Sequence, residues 1–216
     1  MSDRRIPCAS AGPPGALARP DWQPGGELTT GDLRLEQEYL LQRFRRHLRL
    51  VHGWGIVCGL NVVPVPGSGW NLFVCPGYGI GPCGDEIVVP KRFAFNLNDY
   101  LWMKPVGHFA DRVWISVEAA ETPATFEDAP ETGCCDSCGC GDAQQTPSRL
   151  SDGIRIVVTW TAPLLRRPIF DLCSGDAPPC VPCPDTCALP LAMIVLPAPS
   201  LPISAGVIDN TSFRGH

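Results

Sequence analysis

Twelve cysteines in 216 residues are the chain's most evident chemistry, and eight of them fall in two groups. The first group is Cys134, Cys135, Cys138 and Cys140, and the second is Cys173, Cys180, Cys183 and Cys187. Each offers four sulfurs, the number that tetrahedral zinc takes, and each contains a CxxC knuckle that turns the chain around one metal. Three states stay open for them: zinc sites, local disulfides or free thiols. Four thiolates would close a zinc coordination sphere and leave no position for water, so a metal here would replace a missing core rather than catalyse.

The remaining residue types offer less. His47, His52, His108 and His216 sit in no HExxH or HxE pattern, and no cysteine beside them forms a nucleophile motif. Asp85 and Glu86 are an acid/base pair in type only, since a polar turn before a strand explains them. No GxGxxG or GxxxxGK[ST] pattern is present. His52 is placed to bond a backbone carbonyl at a helix end. These features lead to the expectation that the chain is not an enzyme.

Composition narrows the class. Hydrophobic residues make up 44% and charged residues 18%, which suits a packed core, and Gly 22 with Pro 24 favours turns and short strands. A net charge of −5 gives no general nucleic-acid footprint, and RFRRHLR at 43–49 reads as the solvated face of a helix. No signal sequence and no membrane span is read in the chain. The expectation is synthesis and assembly in the cytoplasm, within a particle released by lysis.

The elements that must carry these residues can be read in order. Residues 1–24 are Pro-, Gly- and Ala-rich and read as an extended or disordered arm. The rest, 25–216, reads as one α+β, mainly β domain. Its N-terminal amphipathic helix packs on an antiparallel sheet, and two long cysteine-rich insertions lie near 121–150 and 163–187. Thr29 or Thr30 caps the helix, Asp32 lies in its first turn, and Gly53 closes it after His52, about 33 Å on. Leu33, Leu40, Leu41, Phe44, Leu48 and Val51 share a face that reads as a core face or as the seam with a partner helix in a trimer. Ile56–Val63 and Trp70–Cys75 read as a hairpin with Pro66 and Gly67 at its tip. Facing residues then sum to about 133, which sets Cys58 opposite Cys75. Arg112–Ala119, Ile154–Trp160 and the LAMIVLP run at 191–197 read as further strands.

One pattern resembles a known group. PGG-x-LT-x-x-D-x-x-x-EQ-x-Y, an arginine-rich helix, HGWG-I-VCGL, PG and CG-x-EIVVP follow in order. They place Pro24, Gly25, Leu28, Thr29, Asp32, Glu36, Gln37, Tyr39, His52 to Leu60, Pro76, Gly77 and Cys83 to Pro90. The order is similar to that of uncharacterised bacterial proteins associated with phage tail-like contractile injection particles, and more loosely to phage tail-fibre attachment domains. The LAMIVL strand and Ile208-Asp209-Asn210 fit as well. The chain departs in LQRFRR at Leu41–Arg46 and in its longer cysteine-rich insertion.

The resemblance implies a structural protein: a baseplate, cap or fibre-attachment subunit that forms homo-oligomers and docks with other subunits of a multi-protein particle. Trp54, Trp70 and Trp102 are the expected anchors. The alternative is a zinc-stabilised protein-binding module outside any particle.

Overall fold

Glycine and proline spacing keeps most strands of this chain short. The computed structural model describes residues 17–102, 111–127, 146–163, 186–198 and 201–211. Helix α1 spans Thr30–His47 and continues as a π-helical turn over Leu48–His52. Strands β1 (Gly55–Gly59), β2 (Val62–Pro64), β3 (Asn71–Val74), β4 (Gly77–Ile80), β5 (Glu86–Val89) and β6 (Phe93–Asn96) follow, then a short helix, α2 (Asn98–Leu101). Strands β7 (Arg112–Glu127), β8 (Thr146–Thr159), β9 (Leu189–Val195) and β10 (Ile208–Asp209) complete the order. Among the described residues all pairings are antiparallel, in sheets ordered β1-β4-β5, β2-β3-β6 and β10-β9-β7-β8. The expectation of a mainly β fold with an N-terminal helix is met.

One hydrophobic core joins the sheets. Leu60, Leu72, Ile115, Leu189, Leu191 and Ile194 are all fully buried within it. Strand β9 lies between β10 and β7 and buries five of its seven residues, on both faces, which is why its sequence is a continuous apolar run rather than an alternating one.

The expected single strand Ile56–Val63 is broken. Leu60 takes φ +56° and sends the chain from the β1 sheet into the β2 sheet. At this corner Gly59 and Gly77 face each other so closely that a Cβ on either would strike the opposing backbone. The hairpin register also differs from the expected one. Pro66 and Gly67 form a turn closed by Ser68 N–H on Val65 C=O, with φ +72° at Gly67. A second turn, Ser68–Asn71, follows with Gly69 at φ +66°. The longer loop shifts the pairing, so Cys58 faces Tyr78 and the Cys75 N–H donates to Asn61 C=O. Cys58 and Cys75 are free thiols, not cross-strand partners.

Strands β7 and β8 extend beyond the expected ones into the first insertion, to Glu127 and from Thr146. Glu118 and Arg155 face each other across this pair and form an ion pair at 2.5 Å, with the carboxylate largely buried.

Candidate docking surface

Helix α1 starts with a complete capping box. The Asp32 N–H donates to Thr29 Oγ1 at 3.1 Å, and the Thr29 N–H donates to Asp32 Oδ2 at 3.2 Å. These two bonds satisfy amides that the first helical turn leaves open. At the other end Gly53, at φ +76°, turns the chain into the Trp54-Gly55 corner. The His52 ring packs edge-on against His47, with centroids 5.1 Å apart.

The C-terminal end of the helix is clamped to the β4–β5 turn. Arg45 Nε meets Asp85 Oδ1 at 2.5 Å, and the left-handed Gly84 (φ +87°) lies flat against the Arg45 backbone where a side chain would collide. Leu48 is buried here, and the same turn is tied by a disulfide from Cys83 to Cys187, just before β9. Helix and sheet therefore meet, but at one end.

Along the rest of α1 no residue is buried. Leu33, Leu40 and Phe44 are 48%, 55% and 47% exposed, Leu41 and Val51 are exposed beside them, and Leu35 is exposed away from this stripe. The apolar face expected to pack on the core is instead presented outward. The core closes without it: no residue of α1 belongs to the hydrophobic core, which strand and loop residues make up.

The tryptophan anchors divide. Trp54 and Trp70 pack against the core, while Trp102 is 78% exposed and its indole N–H donates to Asp99 C=O at 2.6 Å. Asp85 and Glu86 are both engaged: Asp85 holds Arg45, and Glu86 accepts the Tyr78 hydroxyl at 2.6 Å. That hydrogen bond, followed by partial burial and the Glu86 charge, pushes the Tyr78 hydroxyl up to about 12.

Of the eight cysteines expected as metal ligands, Cys134, Cys135, Cys138, Cys140, Cys173, Cys180 and Cys183 lie outside the described residues. Cys187 departs from its expected group: its sulfur is bonded to Cys83, from outside both clusters. Cys83, Asp85 and Cys187 bring their ligand atoms within 4.8 Å of one another. In the disulfide form those sulfurs are not thiolates, and thiolates are what zinc binds. Strand β9 begins with Leu189 opposite Val117, ten residues or ~33 Å along β7 from Glu127. The two insertions therefore leave the sheet at separate places.

The C-terminal Ile208-Asp209-Asn210 segment has a role that sequence reading did not assign. Asn210 Oδ1 accepts the Val62 N–H at 2.7 Å, and Asn210 Nδ2 donates to Val62 C=O at 3.0 Å. One side chain thus completes the free edge of β2. The signal was a lone Asn after an apolar strand, too common to single out.

Among the described residues no helix is long and apolar enough to cross a membrane. No family model matches this chain, and no curated protein matches it. Among solved structures, the crystal structure of TssK is similar, with 13% identity and a TM-score of 0.44 over 90% of this chain and 41% of that one. This chain therefore spans about two fifths of the TssK length. So loose a likeness bears on neither chemistry nor partners.

Proposed function

We propose that this chain is a non-enzymatic structural subunit that docks within a multi-protein particle through the outward face of α1. The observation that carries this reading is the 18-residue helix itself, capped and clamped at its ends while Leu33, Leu40 and Phe44 along its length stay about half exposed. A contiguous exposed apolar stripe on a folded domain marks an association surface. The sequence order from Pro24 to Pro90 supports the finer reading, a baseplate, cap or fibre-attachment component of a phage tail-like contractile particle. On this reading the partners are copies of the chain and other particle subunits, not nucleic acid. Assembly takes place in the cytoplasm.

A gentle native pull-down of the tagged chain from its host, imaged by negative-stain electron microscopy, tests this. Tail-like particles carrying the tag are expected, and Phe44→Glu should abolish their recovery. A small discrete species with no particle would overturn the reading. The CxxC spacings Cys135/Cys138 and Cys180/Cys183 favour a second reading, a zinc-stabilised protein-binding module outside any particle. It predicts about one or two equivalents of zinc per chain by elemental analysis, together with that small species.

A further inference from the structure

The face of α1 has a register and a charge pattern as well as an apolar stripe. Leu33, Gln37, Leu40 and Phe44 recur at alternating spacings of four, three and four, the seam of a two-helix coiled coil. Acidic Asp32, Glu36 and Glu38 outweigh Arg34 in the first half of the helix. Basic Arg43, Arg45, Arg46 and His47 lie in the second. A parallel pairing sets like ends side by side, whereas an antiparallel pairing sets acidic against basic.

We infer that α1 pairs antiparallel with α1 of a second copy of this chain. In the seam register that stacks Leu33 on the second copy's Phe44 and Gln37 on its Leu40, Thr30 comes beside His47, so the two helices overlap over their full length. The same register puts Glu36 beside the second copy's Arg43, and Arg43 beside its Glu36, on one flank. In the monomer one Glu36 carboxylate oxygen is shielded without a hydrogen-bond partner, and turning it onto that guanidinium satisfies it. Just before the cap, Leu28 (60% exposed) comes alongside the second copy's Val51 (66% exposed) and continues the apolar contact. Arg45 lies to the side of the seam, held by the chain's own β4–β5 turn. An overlap of one 18-residue helix is near the lower limit of a specific interface, about 1,200 Å² in total, the size of weak, transient associations.

The inference rests on the α1 face being an assembly surface, and charge reversal separates the two ideas. Sedimentation of the full-length chain across a concentration series should give a monomer–dimer equilibrium. Glu36→Arg and Arg43→Glu should each weaken self-association about tenfold, because each turns two attractive pairs into two repulsive ones. Mixing the two variants should restore a dimer, since position 36 of each chain then faces a charge of opposite sign at position 43 of the other. The doubly reversed chain should self-associate as the parent does. Arg43 is exposed and Glu36 half-buried, so far-UV circular dichroism checks that each variant keeps the fold. A trimer, single variants that associate like the parent, a mixture that stays monomeric, or a parent that stays monomeric throughout would each overturn antiparallel pairing. If Phe44→Glu still abolishes particle recovery in those cases, the assembly-surface reading stands without it.

Discussion

Replacing Asn210 by Ala should cost far more than its place near the chain's end suggests. Val62 is 1% exposed, and its outward N–H and C=O both bond to the Asn210 side chain. Its inward neighbour is Val74 on β3, so the free edge of β2 depends on this one amide. Truncation leaves a buried donor and a buried acceptor unpaired, at about 1–3 kcal/mol each, and partial rehydration brings the total to about 2–4 kcal/mol. For a chain of this size that is a fall in melting temperature of about 5–12 °C. Asn210→Asp keeps an acceptor for the N–H but sets a carboxylate against the Val62 carbonyl, so it should be no milder at neutral pH. Differential scanning calorimetry measures both, with Thr211→Ala as a control. The Thr211 contacts run to Asp209 in an exposed turn, and the control should stay within about 0.5 kcal/mol of the parent. Amide exchange at Val62 should speed up in the Asn210 variants before neighbouring strands lose protection. A shift under about 1 °C for Asn210→Ala would mean that water replaces the side chain at no cost, and that the edge is not sealed by it.

Three further outcomes follow from the same contacts. Cys83→Ser with Cys187→Ser opens a bridge between residues 104 apart and should lower stability by up to about 4–5 kcal/mol on the chain-entropy account; peptide mapping without reductant should recover the linked pair, and its absence would refute the pairing. Gly79→Ala places a Cβ 2.7 Å from Leu189 Cδ2 and 3.1 Å from Leu60 Cδ1, both buried, and should cost about 1–3 kcal/mol by urea titration, against no change if those leucines yield freely. Tyr78 ionises near 12 in the fold and near 10 when unfolded, so its share of stability is intact below 10 and is lost as pH rises through 12; ultraviolet titration should show a late tyrosine that moves down in Glu86→Gln, and an unmoved titration would refute the Tyr78–Glu86 bond.

Local chemistry made the helix legible. Thr29, Asp32 and Gly53 act through bonds to their own neighbours, so cap, first turn and terminus could all be placed from the sequence and are found there. The strands around Val113–Val117 and Leu191–Ile194 were legible for the same reason: short apolar runs bounded by turn residues. What could not be read was long-range. The apolar stripe on α1 looks identical in sequence whether it meets its own sheet or another chain. Only the core, which takes no residue from α1, decides that the stripe faces outward. The hairpin register failed because two successive turns replace the expected single one, which moves Cys58 away from Cys75. The bond between Cys83 and Cys187 spans residues 104 apart, and cysteine spacing carries no information about a partner at that distance.

The placement of α1 bears on how an assembly would gain stability. A helix of this length with no buried apolar stripe is marginal in water, because nucleation costs more than its intrahelical bonds return. Here the cap at Thr29 secures one end, and the Arg45–Asp85 contact with Gly84 fixes the other. Between them the helix has supports such as the Gln42–Glu38 hydrogen bond at 2.7 Å, each worth only a few tenths of a kcal/mol. Direction is therefore set within the chain, while the middle turns gain their apolar burial only from a partner. Fixing the direction beforehand lowers the ordering cost of association. Leaving the apolar face open makes helix order depend on that association. The Cys83–Cys187 bridge holds the same turn that holds Arg45, so the covalent link and the docking face share one support.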